Sequence, residues 1–241
     1  MCGRFAMDDS TNELLEELVA EHGMGVLKDW QKHWPPNYNV APTQDVPVVA
    51  SHDGVRTIES VRWGMVAPFA KTFAGKPVIN ARIETVATNG MFKQPFLAHR
   101  VVVAALGYYE WEECPDGKQP YFVRVPGEPL ALAGIVRRWR DPALPADDPD
   151  SIRLSMAILT MDAHVVPGEV HDREPAFLTP DAVNHWLGDD LHPEQLLDML
   201  RHSSEAVSHE IEYYEVSRSV NKVEKSRGVP NDGPELIERV G

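Results

Sequence analysis

The order of elements along this 241-residue chain predicts an α+β fold: a mostly antiparallel sheet, distorted towards a barrel, with helices at its edges. Three observations point there. Short β-branched or apolar runs, separated by turn residues, fill the middle of the chain. Helix signals gather towards its two ends. No unit of about 20–50 residues repeats, which excludes a solenoid or propeller. A single domain over residues 1–241 is the expected organisation.

In order, residues 10–21 read as a helix with Ser10 as cap, Glu13 three residues on, and Leu14, Leu15, Leu18 and Val19 along one stripe. A second short helix is expected around Val26, Leu27 and Trp30, ended by Pro35-Pro36. Strands are expected at 46–50, 57–62, 101–105, 121–125, 130–135 and 154–160. Proline-opened helices follow at 180–187 and 193–200, then a late strand at 210–216. The Pro- and Asp-rich stretch 141–151 reads as a surface loop.

Apolar residues make up 43% of the chain, enough for a real core. No run of about 18 apolar residues exists, so no membrane span is expected. Arg4, Asp8 and Asp9 interrupt the start, so it does not read as a secretory signal. A cytoplasmic, monomeric protein is expected. The two cysteines, Cys2 and Cys114, have no metal-ligand spacing, and no metal or organic cofactor is expected. A net charge of −14 argues against non-specific nucleic-acid binding over the whole surface. It allows a confined basic groove, since salt screens charges beyond about 8 Å.

Chemistry concentrates in four places. Cys2 has a small side chain, so removal of Met1 is expected, leaving an α-amine and a thiol two carbons apart. Such a pair condenses with an aldehyde and closes a five-membered ring on the same carbon. The other places are Asn80-Ala81-Arg82-Ile83-Glu84, Gly107-Tyr108-Tyr109-Glu110-Trp111 and His171-Asp172-Arg173-Glu174-Pro175. Each sets polar groups where a strand is expected to end, a common way to line a cleft. Glu110 lies between Tyr109 and Trp111, an aromatic setting that would raise its pKa and suit it to proton transfer. His171 exchanges protons near neutrality. Taken singly, Asn80 also reads as a turn or cap residue, Glu110 as a surface carboxylate, His171 as a solvated histidine, and Arg4, Arg82 and Arg173 as ordinary surface charges.

The ordered set Met1-Cys2-Gly3-Arg4-Phe5, Tyr38-Asn39-Val40-Ala41-Pro42, Arg62-Trp63-Gly64, Asn80-Ala81-Arg82, Gly107-Tyr108-Tyr109-Glu110-Trp111 and His171-Asp172-Arg173 resembles the SOS response-associated peptidase family. The ending Asn231-Asp232-Gly233-Pro234-Glu235-Leu236-Ile237 resembles that family's ending. The resemblance implies the family's fold and a sensor of abasic sites in single-stranded DNA. In it the processed Cys2 attacks the ring-opened sugar aldehyde and ends as a thiazolidine crosslink, with a possible strand-cleaving lyase side reaction. It implies a catalytic set of Cys2, Asn80, Glu110 and His171. For DNA contacts it implies Arg4, Asn39, Pro42, Arg82, Thr160 and Arg173, with Phe69 or Phe73 standing where relatives often carry stacking tryptophans. One departure is Glu174, where many members have methionine or arginine; it is expected to add a negative charge beside the DNA groove. Another is the run 221–228, read as a loop onto the DNA backbone or a solvated turn.

In the expected sequence of steps, His171 opens the sugar ring and the Cys2 amine, with a free pKa of about 8, attacks the aldehyde. Glu110 moves protons during loss of water, Asn80 holds the sugar or the amine from a turn, and the thiol closes the ring. Two rival readings stand beside this one: a thiol peptidase with Cys2 as nucleophile and His171 as base, limited to processing its own start, and a non-catalytic reader of single-stranded or modified DNA.

Overall fold

The computed structural model describes residues 2–20, 34–74, 76–164, 172–226 and 228–240. In chain order the elements are β1 (Phe5–Met7), α1 (Asp9–Ala20), β2 (Asn37–Val40), β3 (Asp45–His52), β4 (Val55–Trp63), β5 (Asn80–Arg82), α2 (Ile83–Val86), α3 (Lys93–Ala98), β6 (Arg100–Ala105), β7 (Gly107–Cys114) and β8 (Gly117–Arg124). They continue with β9 (Leu130–Arg140), β10 (Ile152–Asp162), β11 (Arg173–Pro175), α4 (Pro180–Leu187), α5 (Pro193–Ser208) and β12 (Glu212–Glu215), ending in the small hairpin β13 (Glu224–Ser226) and β14 (Val229–Pro230). The α+β class holds, and all six expected central strands and the helix at 180–187 are present. The helix starting at Pro193 runs to Ser208, well beyond the expected 200. The helix expected around Val26, Leu27 and Trp30 lies outside the described residues.

Two sheets form. The smaller has the order β12-β8-β7-β1-β2. The larger closes on itself, because β9 pairs with β6 on one side and with β10 on the other, while β10 also pairs with β4. Short strands β5 and β11 extend β10 beyond the closure. Strand β6 is buried at every position, as its continuous Val-Val-Val-Ala-Ala run requires. Alternate residues of the larger sheet feed two cores. Val46, Val48, Val61, Trp63, Val103, Met156 and Ile158 meet Phe5, Tyr108 and Val123 of the smaller sheet. Val49, Val102, Ile135, Ala157 and Leu159 meet the apolar faces of α1, α4 and α5.

Helix α1 is capped by Asp8 rather than Ser10. The Asp8 carboxylate accepts from the Ser10 backbone N–H at 3.0 Å, and the Asp8 N–H donates back to Thr11 Oγ1 at 3.1 Å. The carboxylate is the better acceptor at a helix start, which moves the boundary one residue upstream. Among the described residues no helix is long and apolar enough to cross a membrane.

Two glycines set the geometry around the chemistry. Gly107 opens β7 where a Cβ would lie 2.5 Å from Phe122 Cζ and 2.6 Å from the Val123 carbonyl oxygen, so only glycine lets β7 and β8 approach. Gly64, at φ +123°, turns the chain out of β4; a Cβ there would lie 2.5 Å from Pro77 Cβ.

Candidate functional site

The start of the chain is threaded along β7. Phe5 pairs with Tyr108, and the Tyr109 N–H donates to the Arg4 carbonyl at 2.9 Å. Carried back two residues, this register sets Gly3, which has no side chain, opposite Glu110. Side chains alternate along a strand, so Tyr108 and Glu110 share one face of β7 while Tyr109 and Trp111 share the other. Glu110 is 2% exposed and Cys2 is fully buried. Burial pushes the Glu110 carboxyl up to about 7, against the lowering pull of the amino-terminal charge and with a further push from Asp172. Burial also pushes the Cys2 thiol up, and the Glu110 charge adds to it. The direction expected for Glu110 therefore holds, but its sequence neighbours are not the reason: Tyr109 and Trp111 face away from it.

Asn80 reaches the same place from the larger sheet. Its Nδ2 donates to the Cys2 carbonyl at 2.9 Å. It opens β5 rather than sitting in a turn, and parallel pairing sets Asn80 opposite Ile158 and Arg82 opposite Thr160. Just before it, the Trp63 indole donates to the Ile79 carbonyl at 3.0 Å, pinning the approach to β5. Thr160 is fully buried, and its hydroxyl has no hydrogen-bond partner among the described residues. Arg82 is exposed beside it. Arg173 is buried and clasped: it donates to both Glu84 carboxylate oxygens at 3.0 and 2.9 Å, to Asp162 Oδ1 at 2.5 Å and to the Thr160 carbonyl at 2.7 Å. Burial alone would lower its pKa; Glu84 and Asp162 more than reverse this and raise it. His171 lies outside the described residues. Its neighbour Asp172 is described, and its charge is felt by Glu110.

Arg4 is half-buried and also held. It donates to Asn39 Oδ1 at 2.5 Å and to the Val220 carbonyl at 3.0 Å, with its guanidinium 5.9 Å from the centre of the Trp111 ring. Asn39 is buried, and its Nδ2 donates to the carbonyls of Lys222 at 3.1 Å and Asn231 at 2.8 Å. Asn39 thus fixes Arg4 and ties the family-like ending to the beginning of the chain. Asn221 Oδ1 accepts from the Trp111 indole at 2.6 Å, which tethers the start of the run 221–228 to β7, while residues 221–224 and 228–230 stay exposed, as expected of a solvated turn or a surface loop. Pro42 is half-buried in a tight turn followed by Thr43 at φ 79°, an unusual conformation for a β-branched residue, held by a 2.7 Å bond from Thr43 N–H to the Trp63 carbonyl.

The two phenylalanines separate cleanly. The Phe73 ring is flanked by the guanidiniums of Arg62 at 4.9 Å and Arg153 at 5.2 Å, and lies 5.4 Å from the Trp139 ring. Arg62 also donates to the Phe73 carbonyl at 2.8 Å, and the Trp139 indole to the Ala70 carbonyl at 3.0 Å. Phe73 anchors the loop, and Phe69, 87% exposed, is presented by it. Glu174 does not line an open groove as expected: it is fully buried, accepting from Ser208 Oγ at 3.1 Å and bonded to His164 Nδ1 at 2.7 Å. A cavity of about 650 Å³ lies elsewhere, between α1, α4 and α5, edged by Glu13, Glu17, Asp181 and Glu210; Cys2, Asn80 and Glu110 do not line it.

The family model for SOS response associated peptidase (SRAP) matches residues 1–223. The chain belongs to this family. It is 30% identical over 242 residues to the abasic site processing protein YedK of Escherichia coli K12, covering the full length of both. It is 28% identical to the abasic site processing protein YoqW of Bacillus subtilis, covering 99% of each. The abasic site processing protein HMCES of Gallus gallus is 27% identical over 275 residues, covering 98% of this chain and 77% of that protein. In fold it is similar to a Bacteroides thetaiotaomicron crystal structure, with a TM-score of 0.77, 21% identity, and coverage of 99% of this chain and all of that one.

Within this SRAP site, sequence reasoning missed Tyr108, Glu84 and the inward turn of Glu174. Tyr108 was legible: two residues from Glu110 on a strand, it must share its face.

Proposed function

We propose that this protein processes abasic sites in single-stranded DNA, and that after loss of Met1 the amine and thiol of Cys2 capture the sugar aldehyde as a thiazolidine crosslink. The observation that carries this reading is the convergence on the chain's second residue of Asn80, bonded to its carbonyl, and Glu110, a buried carboxyl that titrates at about 7. Glu110 is matched to donating a proton to the departing hydroxyl and taking one back near neutrality. Base-promoted loss of a proton from the carbon beside the Schiff base would give the lyase side reaction. Thr160 and Asn80 supply neutral groups for the open sugar, and Arg82 an exposed charge for a phosphate. Arg173 acts through the position of β11 and Glu84. Such a protein would work in the cytoplasm or at the nucleoid, as a monomer.

The peptidase reading is less well supported. A thiol nucleophile is normally prepared by a lowered pKa, whereas burial and Glu110 push this thiol up. That favours an amine that acts first and a thiol that acts second.

The test is incubation with a single-stranded oligonucleotide bearing one abasic site, with an intact oligonucleotide as control. An adduct stable on a denaturing gel is expected with the first only. Adduct with both, or with neither, would refute the reading. In the same assay Phe69→Ala should weaken binding by about 1–3 kcal/mol, the value of one stacked base. Affinity should fall with salt at a shallow log–log slope of about −0.7, for the one phosphate contact of Arg82.

A further inference from the structure

The cavity of about 650 Å³ between α1, α4 and α5 is large enough to seat several side chains of a partner, and its lining sorts by chemistry. Leu14, Ala131 and Val207 are half-buried and form part of an apolar floor, each packed against one of the two large cores. Glu13, Glu17, Glu128, Asp181 and Glu210 stand on the rim, all exposed. No lysine, arginine or histidine is among the described lining residues. Among the described residues none of these five carboxylates takes part in an ion pair. Three of them sit where helix electrostatics disfavour them. Glu13 and Glu17 lie four residues apart on α1, a like-charged pair on one face. Glu17 is also in the last turn of α1, and Glu210 lies two residues beyond α5, its N–H bonded to the Val207 carbonyl at 3.0 Å. A negative charge at either helix C-terminus opposes the dipole. Unneutralised charge held at a local cost around an apolar floor marks a surface whose ligand offsets that cost.

We propose that this cavity is a docking groove for a basic amphipathic segment of a partner protein. Apolar side chains of the segment seat on the floor of Leu14, Ala131 and Val207, and its lysines or arginines pair with the rim. The apolar contact supplies affinity, and the carboxylates select for positive charge. The same carboxylates repel a nucleic-acid backbone, so the groove is not an extension of a DNA site. They also disfavour a second copy of this chain, whose net charge is −14. Cys2, Asn80 and Glu110 do not line the groove, so docking leaves those residues to their own chemistry.

The probe is a fluorescently labelled peptide of leucine and lysine, with leucine at the apolar positions of an amphipathic helix, titrated with the protein and read by anisotropy. One control peptide has serine in place of leucine, and another has glutamate in place of lysine. Expected is saturable one-to-one binding of the leucine–lysine peptide, with both controls weaker by about tenfold or more. Glu13→Gln combined with Glu17→Gln should weaken binding about tenfold, and so should Leu14→Ser. Asp147→Asn combined with Asp150→Asn makes the same change in net charge on an exposed loop outside the groove, and should leave binding unchanged. Removing the like-charged pair should leave the melting temperature of the Glu13 and Glu17 double variant at or above wild type, which separates lost binding from lost folding. Absence of binding would overturn the proposal. So would equal weakening by the two double variants, or equal binding of the serine–lysine peptide, each the mark of attraction to net charge alone. Self-association in sedimentation that Leu14→Ser abolishes would assign the groove to a second copy and overturn it as well.

Discussion

Replacing Glu110 with glutamine is expected to slow Schiff-base formation about 100-fold while making the folded protein more stable at pH 8. The first effect follows from losing a positioned acid–base group, worth about 10²–10⁴ in rate. The second follows from linkage. The Glu110 carboxyl titrates at about 7 in the folded state, against an ordinary 4.5. Between those values the native state binds more protons than the unfolded state, so stability falls as pH rises. The contribution is whole below about pH 4.5 and is lost by about pH 7, a difference of roughly 3 kcal/mol. Glutamine removes the ionisation, so Glu110→Gln should show a flatter stability–pH curve and a higher melting temperature than wild type at pH 8. Affinity for the oligonucleotide should hardly change. A variant with wild-type crosslinking, or with a stability curve parallel to wild type, would contradict the role and the burial argument respectively.

Cys2→Ser separates the two functional groups of the second residue. Serine retains the α-amine after methionine removal, so borohydride should still trap a Schiff base. Its hydroxyl does not close the stable sulfur ring, so the adduct that survives without borohydride should fall by about 100-fold or more, as for loss of a nucleophile. Equal loss of both signals would mean that the thiol is needed before the amine, and would favour thiol-first chemistry.

How much of this was legible follows from strand length and strand period. The central strands and the proline-opened helices carry five or more residues of consistent pattern, and the structure returns them. Strands β1, β5 and β11 have three residues each, too short for a period to show, yet they hold or adjoin Cys2, Asn80 and Arg173. They form because neighbouring strands complete their hydrogen bonds, which no local pattern reports. Asn80 was therefore expected in a turn, and Glu174 in the groove. Glu110 was found through its aromatic neighbours, although the buried face of β7 is what shifts it. The networks around Arg4 and Arg173 depend on residues far away in sequence, Asn39, Val220, Glu84 and Asp162, and no spacing rule links them.

The most direct test of the central claim is mass spectrometry of the N-terminal peptide after adduct formation and nuclease digestion. The account predicts a peptide beginning at Cys2, without Met1, carrying the sugar remnant bound through both the α-amine and the sulfur. An adduct on any other residue, or a crosslinked peptide that still carries Met1, would contradict it.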